Sequence, residues 1–256
     1  MKLSEISVYI ICFNEEKRIQ KALESVTWAG EIIIVDSFST DKTLEMCARY
    51  TDAIYKRQFA GYGLQKNYAL SLVKRKWALN IDADEVVTEE LRKEIEELKE
   101  ADGIEGYFVK RKNYYLGKVV KCCGWYPDHK LRLHRTDKGT WKDVLVHESF
   151  TVEGKTGYLY NDLLHYTYDT VTAHLERIYK YAQWSAETFM MVQKKIHSYQ
   201  LFLIPLAVFL KKYIIQFGFL AGYRGLLISI FESYYTFLKY AIAFDKRKRQ
   251  LIKTEK

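Results

Sequence analysis

Two hydrophobic rhythms alternate through the first hundred residues. Residues 6–13 form a compact run of β-branched and aromatic side chains, as expected of a strand covered on both faces. Asn14 ends the run and is placed to cap a helix in which Ile19, Ala22, Leu23 and Val26 fall at helical spacing. Residues 31–35 repeat the strand pattern, and Ser39 or Thr40 is expected to cap a helix carrying Leu44, Cys47 and Ala48. A short strand at 53–55, a helix at 64–73 and a buried strand at 77–81 follow, the last ending at Asp82. From Thr88 onward, Leu91, Ile95 and Leu98 mark one face of a helix whose other positions are mostly acidic and solvated.

Between 105 and about 165 the rhythm shifts to strands punctuated by glycine, predicted at 107–110, 130–135, 144–150 and 157–160. Beyond Val171 the chain reads as helical. Strand–helix alternation predicts a parallel sheet with helices on both faces. The expected fold is therefore α/β: a Rossmann-like mixed sheet over residues 1–168, followed by a helical region over 169–256.

Composition narrows the class. With 256 residues, 48% of them hydrophobic, the chain can bury a core without disulfides or structural metal. Cys12, Cys47, Cys122 and Cys123 lack the paired spacing of a zinc site, and residues 1–14 do not read as a signal peptide. Reduced thiols and a cytoplasmic location are expected. The formal charge of +8 sits almost wholly in the tail, where residues 199–256 hold ten Lys/Arg against three acids, 10 − 3 = +7. No nucleic-acid-binding motif accompanies that charge, and apolar helices adjoin it, so nucleic acid is not an expected partner.

Three polar clusters follow predicted strand ends: Asn14-Glu15-Glu16, Asp36-Ser37 and Asp82-Ala83-Asp84-Glu85. In a parallel sheet the carboxyl ends of the strands line one rim, where ligands bind. Two carboxylates one residue apart can hold a hard cation such as Mg²⁺ or Mn²⁺ together with a substrate hydroxyl. Asp36 suits a ribose or a base imino group; a turn or helix-cap role is the alternative. Neither a P-loop nor a G-x-G-x-x-G sequence occurs, so a nucleotide's phosphates would need a metal rather than a glycine-rich loop.

The series formed by residues 8–16, 32–43, 65–70 and 77–85, ending Asn80-Ile81-Asp82-Ala83-Asp84-Glu85, resembles the family 2 inverting glycosyltransferases across roughly residues 5–165. Within them it is most similar to bacterial enzymes that add β-linked glucose to the heptose of the lipopolysaccharide inner core. The resemblance implies a GT-A fold and a nucleotide-diphosphate sugar donor, usually UDP-linked. It also implies that Phe13, Asn14 and Glu15 line the nucleoside pocket and that Asp36 contacts the base. Asp82 would hold the ribose or a metal-bound water, Asp84 would ligate the metal, and Lys66 and Asn67 would lie near the nucleotide. Many members carry Glu-Asp where the catalytic base belongs; this chain has Val146-His147-Glu148-Ser149. Glu148 is the expected base, with His147 as the rival base or a positioning group.

His165 is a candidate to complete the metal shell or bind diphosphate, or else a structural histidine. Lys130, Arg132 and Arg135 are expected on one face of a strand, out of step with Leu131 and Leu133, facing donor diphosphate or an anionic acceptor.

In the tail, apolar runs of 201–210 and 213–223 fall short of the ~18–20 residues a membrane span needs. Gly225, Ser229, Glu232, Thr236 and Lys239 form one polar stripe on an otherwise apolar helix, with Lys246-Arg247-Lys248-Arg249 beyond it. The pattern suits a helix lying in an anionic membrane interface, or one packed on the catalytic domain or in a homo-oligomer. The leading expectation is an inverting transferase that takes a sugar from a nucleotide donor to a glycolipid acceptor, peripheral on the cytoplasmic face of the inner membrane. Transfer to a polyprenyl phosphate, or donor binding without turnover, are the competing expectations.

Overall fold

The computed structural model describes residues 1–99, 103–142, 149–191 and 197–254. The chain divides into two compact units, residues 1–112 with 127–166, and residues 113–126 with 167–256.

The first unit is built on parallel strands β1 (Ile6–Cys12), β2 (Glu31–Asp36), β3 (Ile54–Lys56) and β4 (Trp77–Asn80), in spatial order β3-β2-β1-β4. The remaining sheet strands are β5 (Glu85–Val87), β6 (Ile104–Tyr115), β7 (Lys118–Val119), β8 (Asp128–Arg135) and β11 (Lys155–Tyr168), and they continue the order as β8-β6-β11-β5. β7 pairs with β6, while β9 (Gly139–Trp141) and β10 (Phe150–Val152) form a separate two-stranded ribbon. The sheet is mixed, as expected, because β8 runs antiparallel to β4.

The unbroken apolar runs of β1 and β2 follow from burial on both faces. Val8, Ile10, Ile32 and Ile34 meet one core, with residues of α1 (Ile19–Glu24), α2 (Thr43–Cys47) and α4 (Glu89–Glu97). Tyr9, Ile33 and Val35 meet another, against Ala69 and Leu70 of α3 (Tyr62–Ser71). Thr88 caps α4, its hydroxyl accepting from the Leu91 amide, while Leu91 and Ile95 point inward and the acids outward. The turn before β2 is also fixed sterically: a Cβ on Gly30 would fall 2.0 Å from the Ser4 carbonyl oxygen.

Two expected caps are replaced by other contacts. Asn14 sits at φ 54° and accepts from the Thr40 amide at 2.8 Å, so it ties two loops together, while α1 starts at Ile19 with no side-chain cap. Ser39 donates to Asp36, and Asp41 rather than Ser39 or Thr40 receives the Thr43 amide at the start of α2.

The second unit holds α5 (Val171–Met191), α6 (Gln200–Leu210) and α7 (Tyr223–Thr254). Residues 113–126, which fall before the expected boundary at 168, belong here: Tyr115, Val120 and Cys123 form a core with Ile228. Of the expected stripe on α7, Gly225, Ser229 and Thr236 are buried; it serves as a packing seam. Among the described residues, no helix is long and apolar enough to cross a membrane.

Candidate active site

Parallel neighbours end on the same edge, so β2, β1 and β4 deliver Asp36, the loop 13–16 and Asp82 to one rim. β8 is antiparallel to β4, which brings its first half to that rim and takes Arg135, opposite Trp77, to the far end.

Asp82 is gripped from two sides. Lys66 Nζ reaches one carboxylate oxygen at 2.9 Å and Arg132 Nη2 the other at 2.6 Å. Arg132 also donates to Asn80 Oδ1 at 2.6 Å and to Glu85, which is wholly buried. Glu85 in turn meets Arg111 at 3.3 Å, and Arg111 holds Asp128. Burial alone would raise the Asp82 carboxyl, but Arg132 and Lys66 outweigh it and hold it well below the usual carboxylate range. The Arg132 guanidinium, which burial would weaken, is kept charged by Asp82 and Glu85.

A local irregularity places Arg132. Leu133 pairs with Tyr107 and Leu131 with Phe108, so β8 has one residue more than β6 at this point, and Arg132 is the extra one. Bulges of this kind re-aim side chains beside functional sites. The expectation that Lys130, Arg132 and Arg135 share one face fails for Arg135. It lies three positions beyond Arg132, at the opposite end of the sheet, and pairs with Asp137 at 3.3 Å. Lys130 is half-exposed and meets Asp128 at 3.3 Å.

Asp84 faces His165. The β5–β11 register sets His165 opposite Glu85, and Tyr166 N donates to the Asp84 carbonyl at 2.9 Å. Asp84 Oδ2 then lies 3.6 Å from His165 Nε2 and 3.8 Å from Arg18, which is also 3.8 Å from Glu15. Asp84 and His165 bring a carboxylate oxygen and an imidazole nitrogen together, a donor pair that fits Mn²⁺ and, through the oxygen, Mg²⁺. Among the described residues no cluster of three or more His, Cys, Asp or Glu is arranged around one metal position.

Other expected residues have structural partners. Asp36 is fully buried and accepts from the Ser39 amide at 2.9 Å and from the Cys12 thiol at 3.6 Å, holding the turn after β2. Asn67 clasps β9 through the Trp141 amide and carbonyl, both at 2.9 Å. Lys66 stacks under the Trp141 ring, 4.5 Å from its centre. Trp141 Nε1 donates to Tyr9 Oη at 2.8 Å, and Tyr9 Oη lies 3.0 Å from His134 Nε2. His134 Nδ1 donates to the Arg135 carbonyl at 3.1 Å, which leaves Nε2 to accept from Tyr9. Burial keeps His134 neutral, its pKa lowered to about 4. Phe13 is 53% exposed beside the loop. His147 and Glu148 lie outside the described residues.

Arg18, Arg111 and Asp128 complete the charge network without having been singled out from sequence, and Glu85, expected only as part of a strand-end cluster, lies at its centre. Glu85 ends the Asp82–Glu85 cluster, and Arg18 stands one helical turn from Glu15, the kind of spacing that could have pointed to it.

The chain belongs to glycosyl transferase family 2, whose model matches residues 7–148. It is 32% identical to the lipopolysaccharide core biosynthesis glycosyltransferase LpsC of Rhizobium meliloti, over 94% of this chain and 92% of that protein. Among solved structures, S. aureus TarS 1–349 is similar with 15% identity and a TM-score of 0.46, covering 95% of this chain and 91% of that one. Glucosyl-3-phosphoglycerate synthase from Mycobacterium tuberculosis, in complex with Mg²⁺ and uridine diphosphate, is similar with 18% identity and a TM-score of 0.38, covering 52% and 56%.

Proposed function

We propose that this glycosyltransferase moves a hexose, glucose first among candidates, from a UDP-linked donor to a glycolipid of the lipopolysaccharide inner-core type, with inversion. The site's charge pattern carries the proposal: two carboxylates at a strand-end rim, one locked between Lys66 and Arg132, the other facing His165. Among the described residues, Gln65 Oε1 and Arg132 Nε are two of four buried side-chain atoms with no hydrogen-bond partner, and these two lie at the rim, where a ligand or water can complete them. The kinship with LpsC supports the acceptor class.

Asp84 and His165 would hold Mg²⁺ or Mn²⁺, with Asp82 set beside them by its two cations. When bound, the metal would neutralise charge developing on the departing diphosphate. The loop carrying Phe13, Asn14 and Glu15, tied to the turn that Asp36 holds, would receive the nucleoside. Lys130 stands at the same rim as Asp82 and can meet an anionic group of donor or acceptor. Glu148 would take the proton of the acceptor hydroxyl on the face opposite the leaving group, with His147 positioning it. Catalysis would take place at the cytoplasmic face of the inner membrane, where the acceptor is anchored.

The test is paired. Asp84→Ala should abolish transfer and metal-dependent UDP binding while leaving the circular dichroism spectrum unchanged. Glu148→Gln should leave donor affinity near wild type and slow transfer ~10²–10⁴-fold. Near-wild-type turnover by Asp84→Ala would overturn the metal role. Retained rate in Glu148→Gln with loss in His147→Asn would make histidine the base.

A further inference from the structure

Large apolar side chains cover much of the outside of the second unit, and small or hydroxyl side chains line one seam of α7 beside its apolar core. On α7, Gly225, Ser229 and Thr236 are buried, while Leu226, Ile230, Tyr234 and Phe237 face outward. A Cβ on Gly225 would stand 1.8 Å from the Gly218 carbonyl oxygen, so only glycine permits this approach. Ser229 and Thr236 donate to carbonyls four residues back, at 2.7 and 2.8 Å, and Ser233 donates to the Pro205 carbonyl of α6 at 2.8 Å. Small residues and hydroxyls at the contact, with bulky apolar groups outside, are how helices associate in lipid.

α6 carries no charged residue and leaves Phe202, Leu203, Leu206 and Leu210 exposed. A helix apolar on every side needs apolar surroundings. The turn over 211–222 exposes Ile214, Ile215, Phe217 and Leu220. Four of its amides are nonetheless bonded within the chain: Gln216 to the Lys211 carbonyl at 2.8 Å, Phe217 to Ile214 at 3.1 Å, Leu220 to Phe217 at 3.0 Å and Gly222 to Phe219 at 3.2 Å. Internal closure of the backbone is what a hydrocarbon environment demands. The 11 residues of α6 extend about 16 Å, roughly half of a ~30 Å bilayer core.

We infer that α6 and the turn 211–222 insert into a single leaflet of an anionic bilayer. The net +7 of residues 199–256 favours anionic lipid and opposes a second copy of the same surface. The inference rests on the membrane location proposed above and is independent of the donor chemistry.

The test is flotation of the full chain with vesicles of phosphatidylcholine, alone or mixed with phosphatidylglycerol, at low and high salt. The wild type should float with both, and phosphatidylglycerol should strengthen binding chiefly at low salt. The triple variant Leu203→Ser, Leu206→Ser, Ile215→Ser changes exposed positions only and should bind neutral vesicles at least ~10²-fold more weakly. Its hydrolysis of UDP-glucose in detergent should match the wild type. Failure of the wild type to bind neutral vesicles, or unchanged binding by the variant, would overturn insertion. So would a lipid-free dimer that the variant converts to monomer, because a second copy would then cover the face. Absence of donor hydrolysis in every sample would count against the transferase proposal and leave the flotation result standing.

Discussion

In the first unit charge turns inward: Lys66, Glu85 and Arg132 are 2%, 0% and 3% exposed, each held by opposite charge or an aromatic face. In the second unit, beside its small apolar core, many large apolar groups turn outward, Phe202 and Leu220 each at 72% exposure, while hydroxyls and glycine line a seam of α7. Buried charges are tolerable only as a complete set, because each loses its hydration and regains it solely from partners. Exposed apolar residues carry no such mutual dependence. The first unit should therefore be fragile at its centre, and the second at its seams.

The largest expected effect tests that fragility. Arg132→Met leaves Asp82 and Glu85 facing each other without their shared cation, and should cost about 3–5 kcal/mol in urea unfolding. A loss below about 1 kcal/mol would show that the network is not mutually dependent.

Acid should reach both units. His134 in the first and His174 in the second are buried and neutral, each with its pKa lowered to about 4 by loss of hydration. The unfolded chain takes up these protons near the ordinary value of about 6.5, which favours unfolding as pH falls. Stability is thus full above about pH 6.5 and declines toward pH 4, by up to roughly 3 kcal/mol for each histidine. Urea midpoints across that window measure the decline; a flat profile would mean that neither ring resists protonation.

The smallest effect belongs to the seam of the second unit. Gly225→Ala drives a methyl into the Gly218 carbonyl and should cost about 1–3 kcal/mol, whereas Gly222→Ala, with nothing within 4 Å of its added carbon, meets only the strain of φ 58°. Thermal melts of the two variants in the same detergent compare seam with surface. Equal losses would remove the distinction.

Much of the first unit is legible in the chain because a strand covered on both faces must be an unbroken apolar run, as in β1 and β2. The rim follows from that and from parallel order, so the sequence by itself places Asp82 and Asp84 beside the loop after β1. Arg135 was misplaced because face depends on parity and end depends on strand direction; β8 runs against β4. Arg18, Arg111 and Asp128 are not legible because the contacts that tie them to the carboxylate cluster or to each other span 66, 26 and 17 residues, beyond the reach of any local pattern. On α7 the stripe was visible but its inward orientation was not, since periodicity marks a face without saying which medium it meets.

One contact also gives the protein an optical sense. The Lys66 ammonium sits 4.5 Å from the centre of the Trp141 ring while bonded to Asp82. An indole's excited state is more polar than its ground state, so a fixed charge at this range sets the colour of its emission. A ligand that draws Lys66 or Asp82 toward itself alters that field at the ring. Trp141 would thereby convert occupancy of the rim into a wavelength shift, seen against the emission of Trp28, Trp77, Trp125 and Trp184.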